Sequence, residues 1–244
     1  MPHTAPVRLT ASWCKTPEEI AEAQKLRYQV FVHEMGAHLP KAINGLDIDE
    51  FDPWCEQLVV RAGVDGPVVG TYRALMPEKA STLGKLYAEN EFDLGSLKSL
   101  KPRLIELGRS CVHADYRSGS GIMALWSGLG ELMLANGYEY LLGCASVPMD
   151  DGGAYAYSLY QQFKEQGVLC DEFNAKPLKA LDTKGLTTIP GVKPPPLLKG
   201  YLRLGARICA APAIDPEFNT ADFLTLLRLS DLHPRYAKHF LTAS

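Results

Sequence analysis

Apolar residues at Ile20, Ala23, Leu26, Val30 and Phe31 fall at helical spacing and place one face of residues 17–33 against a core. The start of that helix is marked by Thr16-Pro17-Glu18-Glu19. It offers an N-cap, a proline at the first helical position, two acids on the positive end of the helix dipole, and a capping box between Thr16 and Glu19. A loop-like segment over 36–52 follows and ends acidic, with Asp47, Asp49, Glu50 and Asp52. Residues 57–62 and 68–75 are rich in β-branched side chains and flank Val64-Asp65-Gly66-Pro67, which predicts a hairpin with an Asp-Gly turn.

A polar connection leads to an alternating run at 104–109, expected as a strand. The glycine-rich turn Tyr116-Arg117-Ser118-Gly119-Ser120-Gly121 then opens a helix over 122–135, stopped by Asn136-Gly137. Residues 140–145 predict a short buried strand, and 154–164 a second helix ended by Gly167. Beyond the proline-rich stretch 190–196, residues 197–211 read as strand and 220–229 as a last helix. This order predicts an α/β (α+β) fold with helices around a mixed sheet. A single domain over 1–244 is expected, elaborated from about residue 190.

Composition narrows the function classes. With 25 Lys+Arg against 28 Asp+Glu the net charge is −3, which argues against a general nucleic-acid binder. No apolar run reaches the roughly 18 residues of a membrane span. Residues 1–10 carry Pro2, Pro6 and Arg8 where a signal peptide would be apolar, so a cytoplasmic location is expected. Cys14, Cys55, Cys111, Cys144, Cys170 and Cys209 are scattered without metal-ligand spacing, which predicts reduced thiols and no metal site.

Three stretches could carry chemistry. The turn at Arg117 to Gly121 before a helix suits a phosphate, although it lacks the lysine and spacing of a P-loop. On Glu106-Leu107-Gly108-Arg109 the two charges face opposite sides of a strand unless a bulge at Gly108 shifts the register. Either they pair at a sheet edge, or Glu106 serves a substrate amine. The acids at 47–52 lack the calcium-loop pattern and suit a solvated loop, a cationic substrate or the chain's own arginines.

Together these stretches resemble a known pattern. Leu26-Arg27-Tyr28-Gln29-Val30-Phe31, then Asp47-x-Asp49-x-Phe51-Asp52, then Glu106-Leu107-Gly108-Arg109 resemble the signature blocks of acyl-homoserine-lactone synthases, within the GNAT superfamily. The chain is more similar still to the ornithine N-acyltransferases of ornithine-lipid synthesis. That similarity rests on the blocks at 106–112, 116–119, 125–126, 143–146, 198–206 and 215–220, in order. The resemblance implies a GNAT-like, mostly antiparallel, twisted sheet flanked by helices. It also implies transfer of a 3-hydroxyacyl group from the phosphopantetheine of acyl carrier protein to the α-amine of ornithine, with no cofactor of the enzyme's own.

It implies roles as well. Glu106 would take the amine's proton or orient the amine, and a backbone N–H around Ser110, Cys111 and Val112 would bind the oxyanion. Tyr160, with Tyr155 and Tyr157 as rivals, would protonate the thiolate. The residues from Arg117 through Ser118, Gly119 and Ser120 to Gly121 would face the donor's phosphate. Arg27, Phe31, Asp47, Asp49, Asp52, Arg73 and Arg109 would form a substrate or structural network.

The lactone synthases have glutamate where Asp47 stands and tryptophan near Ala37; both departures weigh against S-adenosylmethionine. Arg117 stands one residue nearer the glycines than in the usual coenzyme A loop, which favours a carrier-protein donor. The alternatives are acylation of another amino acid, lactone synthesis, or non-catalytic binding of acyl carrier or a membrane surface. Carrier docking would draw on Arg103, Arg109, Arg117, Lys193 and Lys199. The amphipathic product implies transient membrane contact, peripheral at the inner membrane.

Overall fold

The computed structural model describes residues 8–117 and 119–233. The chain begins with β1 (Leu9–Trp13) and α1 (Pro17–Tyr28), which continues as a π-helical turn, Gln29–Glu34. The capping box is formed: the Thr16 hydroxyl accepts from the Glu19 N–H, and the Glu19 carboxylate accepts from the Thr16 N–H. After β2 (Glu56–Ala62) and β3 (Val68–Leu75) come α2 (Pro77–Leu83), a 3-10 turn at Tyr87–Asn90, and β4 (Phe92–Asp93). Then follow β5 (Leu104–Val112), α3 (Ser120–Asn136), β6 (Tyr140–Pro148), α4 (Ala154–Glu165), β7 (Lys176–Pro177) and α5 (Pro196–Leu204). Three strands end the described chain: β8 (Arg207–Ile208), β9 (Ala213–Asp215) and β10 (Thr220–Arg228).

Contacts divide the described residues into two compact units, 8–74 with 108–136, and 75–107 with 137–233. In the first unit β1, β2 and β3 form an antiparallel meander, and the later half of β5 lies next to β3. Helix α3 packs on β1 and β2, burying Leu125, Trp126, Leu129 and Met133. These four residues build ordinary core.

In the second unit the earlier half of β5 runs parallel to β6, β10 runs antiparallel to β6 over nine residue pairs, and β8 and β9 join β10 antiparallel. Helices α4 and α5 pack against this sheet around Leu159, Phe163, Leu198, Val147 and Phe223. A mixed, mostly antiparallel sheet flanked by helices is the result, as expected.

Two elements differ from the sequence reading. Residues 197–204, expected as strand, are the helix α5, and only Arg207–Ile208 pairs as strand. The helix signals were in place: Pro196 opens the first turn and Gly205 caps the end at φ +111°. A Cβ at Gly205 would come within 2.5 Å of the Asp231 carbonyl. Residues 220–228, expected as helix, are the strand β10. Residues 220–227 are all buried, so both faces of the strand are covered and the two-residue alternation is erased. Among the elements not anticipated are the short β1 and the helix α2, whose Pro77 and Gly84 are start and stop signals within a polar stretch.

Candidate functional site

In the first unit the acidic loop and the arginines meet in one ionic network. Arg27 sits on the inner face of α1 with 0% exposure. Its Nε donates to Asp47 at 2.9 Å, its Nη2 to Asp52 at 2.7 Å and to the Asp47 carbonyl at 2.5 Å, and its Nη1 to Gln57 at 2.8 Å. Arg73 on β3 donates to Asp49 at 2.6 Å and to Asp52 at 2.9 Å. Arg109 donates to Asp47 at 3.1 Å and to Asp49 at 3.0 Å.

Three guanidiniums and three carboxylates therefore interlock, which is how charges this deeply buried are tolerated. Burial acts to raise the Asp49 carboxyl, but the adjacent Arg73 and Arg109 outweigh it and hold the group below the usual carboxylate range. Phe31, 8% exposed, lies in the same helical segment and its carbonyl accepts from the Ala37 N–H. Arg109 belongs to this network and is not a surface cation; its side chain is 9% exposed.

The backbone turns at Arg109 itself, at φ +49°, and not at Gly108. A non-glycine residue in this region is held there by its surroundings, here by the two carboxylates on its guanidinium. Beyond it, Cys111 is buried, and burial raises its thiol to about 12. Ser110 and Val112 are half-buried. Ser110 is bonded to the Tyr72 hydroxyl, and the Val112 carbonyl accepts from Arg117 Nε at 2.9 Å.

The glycine-rich turn leads into α3 as expected. Gly119 has φ +104°, and Ser120 and Gly121 occupy the first turn, with Ser120 exposed and Gly121 buried against Val112. Ser118 lies outside the described residues. Arg117 is exposed and pairs with Glu34 at 2.5 Å. Arg103 is likewise exposed and paired, with Glu139 at 2.8 Å, while Lys193 and Lys199 are exposed.

In the second unit Glu106 is buried at 4% exposure on β5. Its two carboxylate oxygens accept the backbone N–H groups of Tyr87 at 2.5 Å and Ala88 at 2.7 Å, so the side chain ties down the 3-10 turn. Tyr160 is half-buried on α4 and packs against the apolar cluster under that helix, as do Tyr155 and Tyr157. The Tyr155 hydroxyl donates to the Lys193 carbonyl at 2.6 Å.

A second acidic constellation in this unit was missed from sequence. Glu91, Asp222 and Cys144 present their ligand atoms within 4.8 Å of one another. Burial, together with Asp222 and Asp215, pushes the Glu91 carboxyl up to about 9; burial and then Asp215 push Asp222 up to about 6. The three residues are too far apart in the chain for any spacing to reveal them. One signal was available, an aspartate inside the apolar run 220–228. In a helix over these residues it would be an exposed side chain; in β10 it is buried.

The acetyltransferase (GNAT) domain family matches residues 26–127. An L-ornithine N(alpha)-acyltransferase of Agrobacterium fabrum is 34% identical, over 93% of this chain and 83% of the relative. A protein of the same name from Rhodobacter capsulatus is 32% identical, over 97% of this chain and 96% of its own. Among solved structures, the CoA-dependent acyl-homoserine lactone synthase BjaI superposes with a TM-score of 0.55 at 14% identity, covering 96% of this chain and 88% of that one. The last comparison speaks to the fold, while the first two extend along nearly the whole chain at more than 30% identity. The chain belongs to the family of L-ornithine N(alpha)-acyltransferases.

Proposed function

We propose that this protein transfers a 3-hydroxyacyl group from the phosphopantetheine thioester of acyl carrier protein to the α-amine of L-ornithine, giving lyso-ornithine lipid. The observation that carries the reading is the identity to relatives of that name over more than 90% of the chain. The amine nitrogen attacks the thioester carbonyl, the C–S bond breaks, the amide forms, and the thiol departs with a proton. At neutral pH the amine is mostly an ammonium, so its proton must leave before attack. A backbone N–H from Ser110 to Val112 is the proposed donor to the oxyanion.

Tyr160 is the proposed acid for the thiolate. Gly119, Ser120 and Gly121, at the N-terminus of a 17-residue helix, are suited to the pantetheine phosphate with Arg117 beside them. Glu106, with both oxygens on backbone N–H groups, is assigned a positioning role: it fixes the turn Tyr87–Asn90. Arg27, Arg73 and Arg109 with Asp47, Asp49 and Asp52 hold the loop preceding β2 rigid. Among the described residues no helix is long and apolar enough to cross a membrane, so any contact with the bilayer through them would be peripheral.

The donor is tested by comparing 3-hydroxyacyl carrier protein with the 3-hydroxyacyl coenzyme A thioester, each with ornithine, and identifying products by mass. Faster turnover with the carrier protein, slowed by added salt because the carrier is acidic, is expected. Equal rates with both donors, flat in salt, would contradict carrier recognition.

A further inference from the structure

The carboxylate of Glu91 is an anomaly that the proposed reaction does not use. Both of its oxygens are shut off from solvent; no backbone N–H or hydroxyl among the described residues donates to them, and the polar groups they meet are the Asp222 carboxyl and the Cys144 thiol. A buried carboxylate normally takes two or three N–H or hydroxyl donors, and leaving it without them is costly. Its polar neighbours make matters worse. Asp222, 3% exposed on β10, and the Cys144 sulphur on β6 lie within 4.8 Å, and Asp215 adds a third negative charge. Asp222 itself is satisfied: its Oδ1 accepts from the Thr220 hydroxyl at 2.9 Å. Glu91 is therefore left to its acidic neighbours, which act on it most strongly.

Two like charges at this range cannot both ionise, so without a ligand they share a proton. The raised carboxyl of Glu91, at about 9, is the expression of that. A buried acidic pair tolerated only by a shared proton is a site shaped for a cation that brings its own donors. Cys144 places it next to the sheet's discontinuity. The parallel ladder of β5 with β6 ends at Leu107↔Gly143, where a Cβ on Gly143 would meet the Leu107 carbonyl at 2.8 Å. Cys144 is the first residue of β6 outside that ladder.

We propose that Glu91 and Asp222 bind the side-chain ammonium of the amino-acid substrate. The inference rests on the reading of the protein as an amino-acid N-acyltransferase and names a specificity determinant for it. An ammonium offers three N–H donors in a compact cation, enough to reach both Glu91 oxygens and Asp222. It takes the place of the shared proton, so binding of the diamino acid releases a proton to solvent. The α-amine is left to react.

The test compares L-ornithine with L-norvaline, which has the same carbon chain and no side-chain amine, in wild type, Glu91→Gln and Asp222→Asn. Wild type is expected to favour ornithine, and Glu91→Gln to lower that selectivity by about 100-fold, the scale of a lost buried ionic contact. Calorimetry of ornithine binding in two buffers of different ionisation enthalpy should show proton release for wild type and none for Glu91→Gln. Glutamine keeps the shape and removes the charge, and matching melting curves exclude misfolding. Should Glu91→Gln depress ornithine and norvaline alike, or change neither, the proposal is overturned. Failure of wild type to acylate ornithine at all would refute the functional reading itself, a separate result.

Discussion

Arg27 shows how much of this protein's order depends on single buried charges. Its guanidinium reaches Asp47, Asp52 and Gln57 together from a position with no solvent exposure. Replacing it by an apolar side chain leaves two buried carboxylates short of their counter-charge. Arg27→Met is expected to cost about 3–5 kcal/mol of stability, read from the urea midpoint. A change below about 1 kcal/mol, the scale of exposed ion pairs, would contradict the network's role.

At this scale the network was partly legible. The motif blocks brought Arg27, Asp47, Asp49, Asp52 and Arg109 forward, with Arg73 expected as a further partner, but not which carboxylate each arginine takes. Glu91 and Asp222 were not legible at all. What defines them is burial beside one another, a property of packing and not of spacing.

At the scale of elements, local punctuation proved more reliable than apolar content. Thr16-Pro17-Glu18-Glu19 marked the start of α1 because a cap, a proline and two acids agree. The same kind of signal, Pro196 with Gly205, marked α5, yet its leucines and tyrosine suggested a strand. In β10 the failure was different in kind. A strand with both faces buried shows a run of apolar residues from which neither the two-residue nor the 3.6-residue period can be recovered.

The cap of α5 gives a prediction. Gly84 and Gly205 both end helices at positive φ, +84° and +111°. A Cβ at Gly84 meets nothing within 4 Å, whereas one at Gly205 meets backbone at 2.5 Å. Gly84→Ala should cost about 1 kcal/mol, the conformational penalty alone, and Gly205→Ala clearly more. Equal shifts in Tm for the two variants would show that the close approach to Asp231 is relieved at no cost.

For the whole molecule, the acidic pair ties stability to pH. Glu91 rises from 4.5 to about 9 and Asp222 from 3.8 to about 6, with Asp215 and Cys144 as their titratable neighbours. Both carboxyls hold protons in the folded chain that they would release in the unfolded one. Their contribution is therefore fully present below about pH 4 and is lost as pH rises through 6 and then 9. Asp49, held below its usual range, acts oppositely: its contribution is present above the ordinary carboxylate range and is lost in strong acid. Urea midpoints measured from about pH 5 to 9 are expected to fall with rising pH, and to fall less in Glu91→Gln. Parallel profiles for the two proteins would show that Glu91 does not titrate in this window.

The central claim, acylation of ornithine at its α-amine, is tested most directly by competition. The purified protein is given 3-hydroxyacyl carrier protein and an equimolar mixture of ornithine, lysine, glutamine, glycine and norvaline, and the acylated products are identified by mass and fragmentation. N(alpha)-acylornithine as the dominant product is the predicted result. A dominant product built on another amino acid, or acylation at the side-chain amine, would contradict the account.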